Sequence, residues 1–448
     1  MWLQIKKYMP NPVETPTVIV HNYLETFHKF LSRAGDEKTI WDRRFNGDQA
    51  LFWLGAAKLI FSSAPIANFE KLRNSWHYEG SMNAFPESPS YELSTDILRE
   101  SPLLKELIGF AGPDNHVQII PYANTPEFLD LAAALRAEHG FTVDLPESPS
   151  PQDLWLGAYL DSKAGFRTLV SQLAPDALPF GFLCESFETA LQAVNWFKQK
   201  KKACVIKASQ GGSGVGNLFL GLEQLDEAKD LNKLLGSNAF MREDIFIVEE
   251  QIHSSSQLSP SLEFFVPPPE RGQPNITYLS NQLFERSGRF AGVAISRELE
   301  SEAWHAGFKD TGLRIAKHIQ EMGFVGHFDL DAIVDDEGRL YLVEINARRT
   351  GGTFAHEFML HNFGADYRQD FAVLSENKLG TNGISQLDLL EEKTAGLLFE
   401  ANGAKHGIIP TLTSMLPQGY IGYIALGDSL KAVQDLRASL ISQLGGEA

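Results

Sequence analysis

Short apolar runs rich in β-branched and aromatic residues recur through the first third of the chain, at residues 17–23, 58–62 and 116–121, and each predicts a buried strand. Between and after them, residues 94–110 and 126–139 carry the apolar spacing of amphipathic helices, so strand and helix alternate as in an α/β domain. Pro146-Glu-Ser-Pro-Ser-Pro151 interrupts every periodicity and marks a boundary, which makes residues 1–150 the first domain. Helical spacing resumes over 153–173. Residues 203–207, 217–220 and 245–249 then predict strands around a glycine-rich turn and a helix. The loop-forming stretches 254–261 and 267–274 flank an apolar run, 262–266, and the second of them joins two antiparallel strands. A helix is expected over 302–322 and a hairpin over 328–346. Residues 151–380 therefore form an α+β region with antiparallel sheets, and 381–448 a small α+β C-terminal segment ending in a helix at 430–444.

Composition narrows the function classes. The 448 residues exceed what one core usually supports. A formal net charge of −18 argues against nucleic acid or an anionic membrane as the main partner, so an anionic ligand has to be held locally. Cys184 and Cys204 are too few for a disulfide framework and fit a reducing compartment. With no apolar signal core and no run of ~18 apolar residues, a cytoplasmic protein without a membrane span is expected.

Two motifs carry chemistry. After the strand Val205-Ile-Lys-Ala come Gly211, Gly212, Ser213, Gly214, Val215 and Gly216. Glycines there let backbone N–H groups approach phosphate oxygens, Ser213 adds a hydroxyl, and Lys207 places an ammonium beside them. The pattern lacks the Gly-Lys-Ser/Thr of a Walker loop, the spacing of a dinucleotide fingerprint and the Gly-x-Ser-x-Gly of a serine hydrolase. The second motif runs from Asp329 through Asp331 to a turn at Asp335-Asp-Glu-Gly338, then to Glu344 and Asn346. Pairing outward from the turn sets Asp329 nearly opposite Glu344. Strand alternation gathers Asp329, Asp331, Glu344 and Asn346 on one face, with Phe328, Leu330, Ala332, Val343 and Ile345 on the other. Such a carboxylate cluster repels itself unless a cation compensates, and magnesium on nucleotide phosphates is the cation whose hard oxygen preference fits.

Together these residues resemble the ATP-grasp enzymes over roughly residues 153–349. The resemblance implies ATP with Mg²⁺, or Mn²⁺ in its place, held by Asp331, Glu344 and Asn346 as metal ligands. Lys163 and Lys207 stand for the phosphate-contacting lysines; Glu249, Glu250 and Ile252 for the adenine hinge; and Glu263 for the carboxylate on the ribose. Where the family's ligases often carry an arginine two residues before the first metal aspartate, this chain has Asp329, so the catalytic cation falls to Arg348 first and Arg297 second, with Arg349 and Arg286 behind them. Gly326-His-Phe-Asp-Leu-Asp and Glu344-Ile-Asn-Ala-Arg-Arg-Thr-Gly-Gly-Thr353 are similar to the pheganomycin-type peptide ligases, which implies a pre-ATP-grasp N-terminal domain. The same likeness implies a small carboxylic acid or amino acid joined to an amine or peptide through an acyl phosphate, and a homodimer is one expectation. The alternatives are another ATP-grasp ligase acting on free amino acids, or a non-catalytic nucleotide-binding protein. A metal hydrolase built on His356-Glu-Phe-Met-Leu-His361 is disfavoured, because histidines five apart lie about 140° apart around a helix.

Overall fold

The computed structural model describes all residues except 1–14, 33–36, 213–214, 228–231, 233–244, 286–287, 401–404 and 447–448. The N-terminal apolar runs become β1 (Thr17–Val20), β2 (Lys58–Phe61), β3 (Met82–Ala84), β4 (His116–Pro121) and β5 (Thr142–Asp144), a parallel sheet in the order β3-β2-β1-β4-β5. Its near-continuous apolar strands are what a sheet covered on both faces requires. The helical stretch expected at 94–110 divides into Leu93–Arg99 and Ser101–Ala111. Pro102 explains the break, since it has no N–H to donate and is tolerated only in a helix's first turn.

The region expected to be helical from 153 also divides, into Trp155–Asp161 and Lys163–Leu173. Ser162 leaves the helical conformation and its hydroxyl accepts from the Gly165 N–H at 3.0 Å, so Lys163 opens the second helix. Gly165 is obligatory, because a Cβ there would sit 2.0 Å from the Tyr159 carbonyl oxygen. A four-stranded antiparallel sheet follows, ordered β6-β9-β7-β8 from β6 (Gly181–Cys184), β7 (Cys204–Gly212), β8 (Val215–Leu220) and β9 (Phe246–Glu250).

The remaining strands make one antiparallel sheet of eight: β10 (Pro260–Val266), β11 (Asn275–Phe284), β12 (Phe290–Ile295), β13 (Gly326–Val334), β14 (Leu340–Asn346), β15 (Ala372–Gly380), β16 (Gly407–Leu412) and β17 (Tyr420–Gly427), in the order β14-β13-β10-β11-β12-β15-β17-β16. The strands after residue 380 thus complete the central sheet, β17 pairing with β15 and β16 with β17. One apolar cluster mixes Ile19, Trp53 and Tyr122 of the first domain with Tyr278, Val293, Phe354 and Ile424, so the parallel domain and the large sheet share a core.

Arg349 fastens that junction. Its guanidinium, 1 % exposed, donates to both Glu147 oxygens (2.7 and 3.1 Å) and to Glu357 (2.7 Å), and lies 4.8 Å from the Trp53 ring centroid. Glu147 belongs to the proline-rich boundary segment, so that segment is bound down onto the second domain. Replacing Arg349 by Met strands two buried carboxylates, and the expected cost is about 3–5 kcal/mol, seen as a lower thermal midpoint. An unchanged midpoint would show the pair to be energetically neutral.

Candidate active site

A cavity of about 1170 Å³ lies between the four-stranded sheet, the large sheet and the N-terminal domain. Lys207 of β7 and Glu249 of β9 face each other across their strands at 2.5 Å, and Arg167 holds the second Glu249 oxygen at 3.0 Å. Gly212 ends β7 and pairs with Val215 to close the β7–β8 hairpin, Gly211 precedes it in the strand, and Gly216 takes φ +91°. Ser213 and Gly214 lie outside the described residues. Glu250 and Ile252 line the cavity wall beyond, with the Glu250 carboxylate on Lys202 at 2.7 Å.

On the opposite wall Asp329, Asp331, Glu344 and Asn346 share one face, as alternation predicts, but the register is shifted. Asp331 pairs with Glu344 and Asp329 with Asn346, because a β-bulge falls between Asp331 and Ala332. The extra residue turns Val343 toward the cavity beside Glu344 and sends Leu342 to the core in its place, which corrects the expected apolar face. Lys163 reaches from its helix to Glu344 Oε1 at 2.8 Å. Gln282 Nε2 donates to Asp331 Oδ1 at 2.7 Å, and Asn346 Nδ2 to Asp331 Oδ2 at 3.1 Å. Arg348 donates to Asn346 Oδ1 at 2.7 Å, with Asp161 Oδ1 3.9 Å from its Nε.

The surroundings work against charge on these carboxyls. Burial, then the Glu344 charge, pushes the Asp331 pKa up to about 7. Burial and the neighbouring Asp331 carry Asp329 well above the ordinary carboxylate range, and its Oδ1 is buried without a partner. No group of three or more His, Cys, Asp or Glu side chains among the described residues forms a metal cage by itself. Two carboxylates and an amide oxygen fit magnesium, which keeps waters and shares phosphate oxygens with its nucleotide. Ser280 Oγ and Asn217 Oδ1, buried and like Asp329 Oδ1 without a partner among the described residues, belong to residues that line the same cavity.

Two expected site residues stay away from it. Glu263 lies on the correct face of β10 but is fully buried, with donors from Thr350 (3.0 Å), Thr353 (2.5 Å), Tyr278 (3.1 Å) and His327 (3.1 Å). Burial opposes its charge, yet the His327 and Thr353 hydrogen bonds outweigh burial and hold its pKa low. The turn leading into helix Thr353–Phe363 roofs it over, so no ribose reaches it. Arg297 is exposed on the short 3-10 helix Arg297–Ser301 and does not line the cavity. Arg349 serves the junction with Glu147 and Glu357, Arg286 lies outside the described residues, and of the three described cations Arg348 is the one placed at the site. The two helix histidines are separately engaged, His356 with Tyr367 Oη at 2.8 Å and His361 with the His77 carbonyl at 3.0 Å, which excludes a shared metal. Sequence reasoning missed Gln282, Asn217 and Tyr122. Asn217 was within reach, since it sits opposite Lys207 across the hairpin.

Nearly the whole chain superposes on solved structures. N5-carboxyaminoimidazole synthetase from Staphylococcus aureus in complex with ADP matches at a TM-score of 0.55 and 12% identity, over 96% of this chain and 97% of that one. Biotin carboxylase from Campylobacter jejuni bound to an ATP analogue matches at 0.56 and 12%, over 97% and 92%. The fold is therefore the ATP-grasp fold, with an α/β domain ahead of antiparallel sheets. In sequence the chain is 27% identical, over 180 residues, to the [butirosin acyl-carrier protein]–L-glutamate ligase of Niallia circulans. That match covers 39% of this chain and 40% of the relative's length. No protein-family model matches. No described helix is long and apolar enough to cross a membrane.

Proposed function

We propose that the protein is an ATP-dependent carboxylate–amine ligase that forms an amide bond through an acyl phosphate, releasing ADP and phosphate. The observation that carries this reading is one cavity lined by Lys207 and Asn217 of the β7–β8 hairpin on one wall and by Asp331, Glu344, Asn346 and Arg348 on the other. The relative that joins L-glutamate to a carrier protein supports an amino acid as the activated acid.

The chain's own groups account for the steps. Lys163 and Lys207 bind the phosphates, exchanging their present carboxylate partners for phosphate oxygens. Magnesium bound by Asp331, Glu344 and Asn346 would neutralise charge on the phosphates being transferred. A substrate carboxylate oxygen attacks the γ-phosphorus and ADP departs. The amine nitrogen then attacks the acyl carbon, phosphate leaves, and the amine's proton passes to water. Arg348, buried and charged, stabilises the negative charge that develops on the acyl phosphate.

Incubation of the purified chain with ATP, Mg²⁺ and pooled amino acids and peptides tests the proposal, with ADP release and a product one water lighter than its two substrates as the expected result. Binding of Mg²⁺ and ATP without ADP release from any pool would favour a non-catalytic nucleotide-binding protein.

A further inference from the structure

Cations gather elsewhere in the cavity, which Asp42 and Glu285 also line. In a chain of net charge −18, Arg43, Arg289 and Lys378 line one corner of the cavity from three separate elements. Arg43 opens the 3-10 helix Arg43–Phe52, Arg289 stands at the β11–β12 hairpin tip, and Lys378 projects from β15. Arg43 donates to Tyr23 Oη at 2.7 Å, and the Lys378 ammonium lies 4.1 Å from the Tyr420 ring centroid. Among the described residues none of the three forms an ion pair. Burial and the two arginine charges lower the Lys378 pKa despite Glu285 and Asp42 nearby. Like charges assembled this closely repel, and an anionic ligand relieves the repulsion.

An aromatic wall connects this corner to the reacting end. The Arg348 guanidinium lies 4.8 Å from the Phe27 ring centroid, Phe27 is 4.7 Å from Tyr23, and Tyr23 packs on Tyr122 at 5.1 Å and holds Arg43. A substrate laid along that wall has its reacting carbon near Arg348 and its other end at the cations.

We propose that Arg43, Arg289 and Lys378 bind a substrate carboxylate that does not react, so that the substrate is an amino acid or short peptide with a free carboxylate remote from the new bond. The word "react" rests on the ligase reading; the anion site does not. The free carboxylate belongs either to the amine-bearing acceptor or to a dicarboxylic donor.

Glutarate is the probe, titrated calorimetrically into the full chain loaded with Mg²⁺ and ADP. Wild type should bind it, and Arg289→Gln and Lys378→Met should each weaken binding about tenfold or more, as loss of a charge-assisted contact implies. Nucleotide affinity should stay unchanged in both. Equal glutarate affinity in wild type and variants, or no binding to wild type, overturns the proposal. Charge-dependent glutarate binding by a chain that ignores nucleotide would sink the ligase reading and leave this site standing. In turnover, peptide acids are compared with their C-terminal amides, and glutarate with its monoamide. A KM rise of about tenfold confined to one pair, and absent in Lys378→Met, assigns the carboxylate to acceptor or donor; equal KM values within both pairs count against the site.

Discussion

Replacement of Glu344 by Gln is expected to lower ATP turnover by about 10²–10³-fold, the range for losing one group that stabilises transferring charge. The same substitution should leave a signature in stability that separates a cation site from a plain salt bridge. Asp331 has its pKa raised from 3.8 to about 7, by burial first and by Glu344 second. Across that window the folded protein keeps a proton that the unfolded chain has released, so stability falls as pH rises from about 4 to about 7, and the penalty is complete above it. Gln removes the neighbouring charge and flattens this decline. It also removes the negative charge opposite Lys163, an ammonium only 4 % exposed, at a cost of about 3–5 kcal/mol. The second effect is larger, so the absolute midpoint should drop while its pH slope shrinks. Melts between pH 5 and 8, with and without Mg²⁺ and ADP, read both quantities. Wild type should gain most from the ligand above pH 7, and the variant should gain little. Full turnover in Glu344→Gln, or an undiminished Mg²⁺-dependent rise, would refute the metal assignment.

How much of this was legible in the sequence follows the range of the interactions. Alternation in β13 and β14 is local, and it placed Asp329, Asp331, Glu344 and Asn346 on one face without reference to any other part of the chain. The bulge after Asp331 is also local, but nothing in residue type announces it, so the pairing slipped and Val343 was assigned to the wrong side. Glu263 is a different case. Its strand and face were right, yet its fate is decided by Thr350 and Thr353, about 90 residues away, which take up its oxygens. Long-range placement also hid the corner formed by Arg43, Arg289 and Lys378, since no spacing connects residue 43 to residue 378. The eight-stranded sheet was hidden for the same reason: β12 meets β15 only after the β13–β14 hairpin and two helices intervene. Thr125 caps the helix expected from 126, its hydroxyl accepting from Phe128, whereas the Ser162 cap, accepting from Gly165, went unread and divides a helix expected to run unbroken over 153–173.

Arg348 offers the sharpest separation of charge from geometry. Arg348→Lys should keep the fold near wild-type stability yet lower kcat by about 10²-fold, with KM for ATP little altered. Charge matters to stability because Arg348 holds down the pKa of Asp161, which burial raises, and lies in the fields of Asp329 and Tyr122. Lysine preserves that charge in part. It does not preserve the planar fork that donates to Asn346 Oδ1 at 2.7 Å and to Tyr122 Oη at 3.3 Å, nor the stacking over Phe27 at 4.8 Å. Since Asn346 Oδ1 is both the acceptor for this fork and one of the proposed metal ligands, loss of the fork frees Asn346 to rotate, and the cation and the acyl phosphate lose their common orientation. Arg348→Met should behave differently. With no positive charge left beside Asp161 and Asp329, whose pKa values burial already raises, it should lose turnover and also several degrees of thermal midpoint. ATP affinity again serves as the control, because Lys207 lies on the opposite wall and keeps its contact with Glu249. If Arg348→Lys retained kcat within about twofold, electrostatic stabilisation would have to come from another cation, and Lys163, already at Glu344, is the one on that wall.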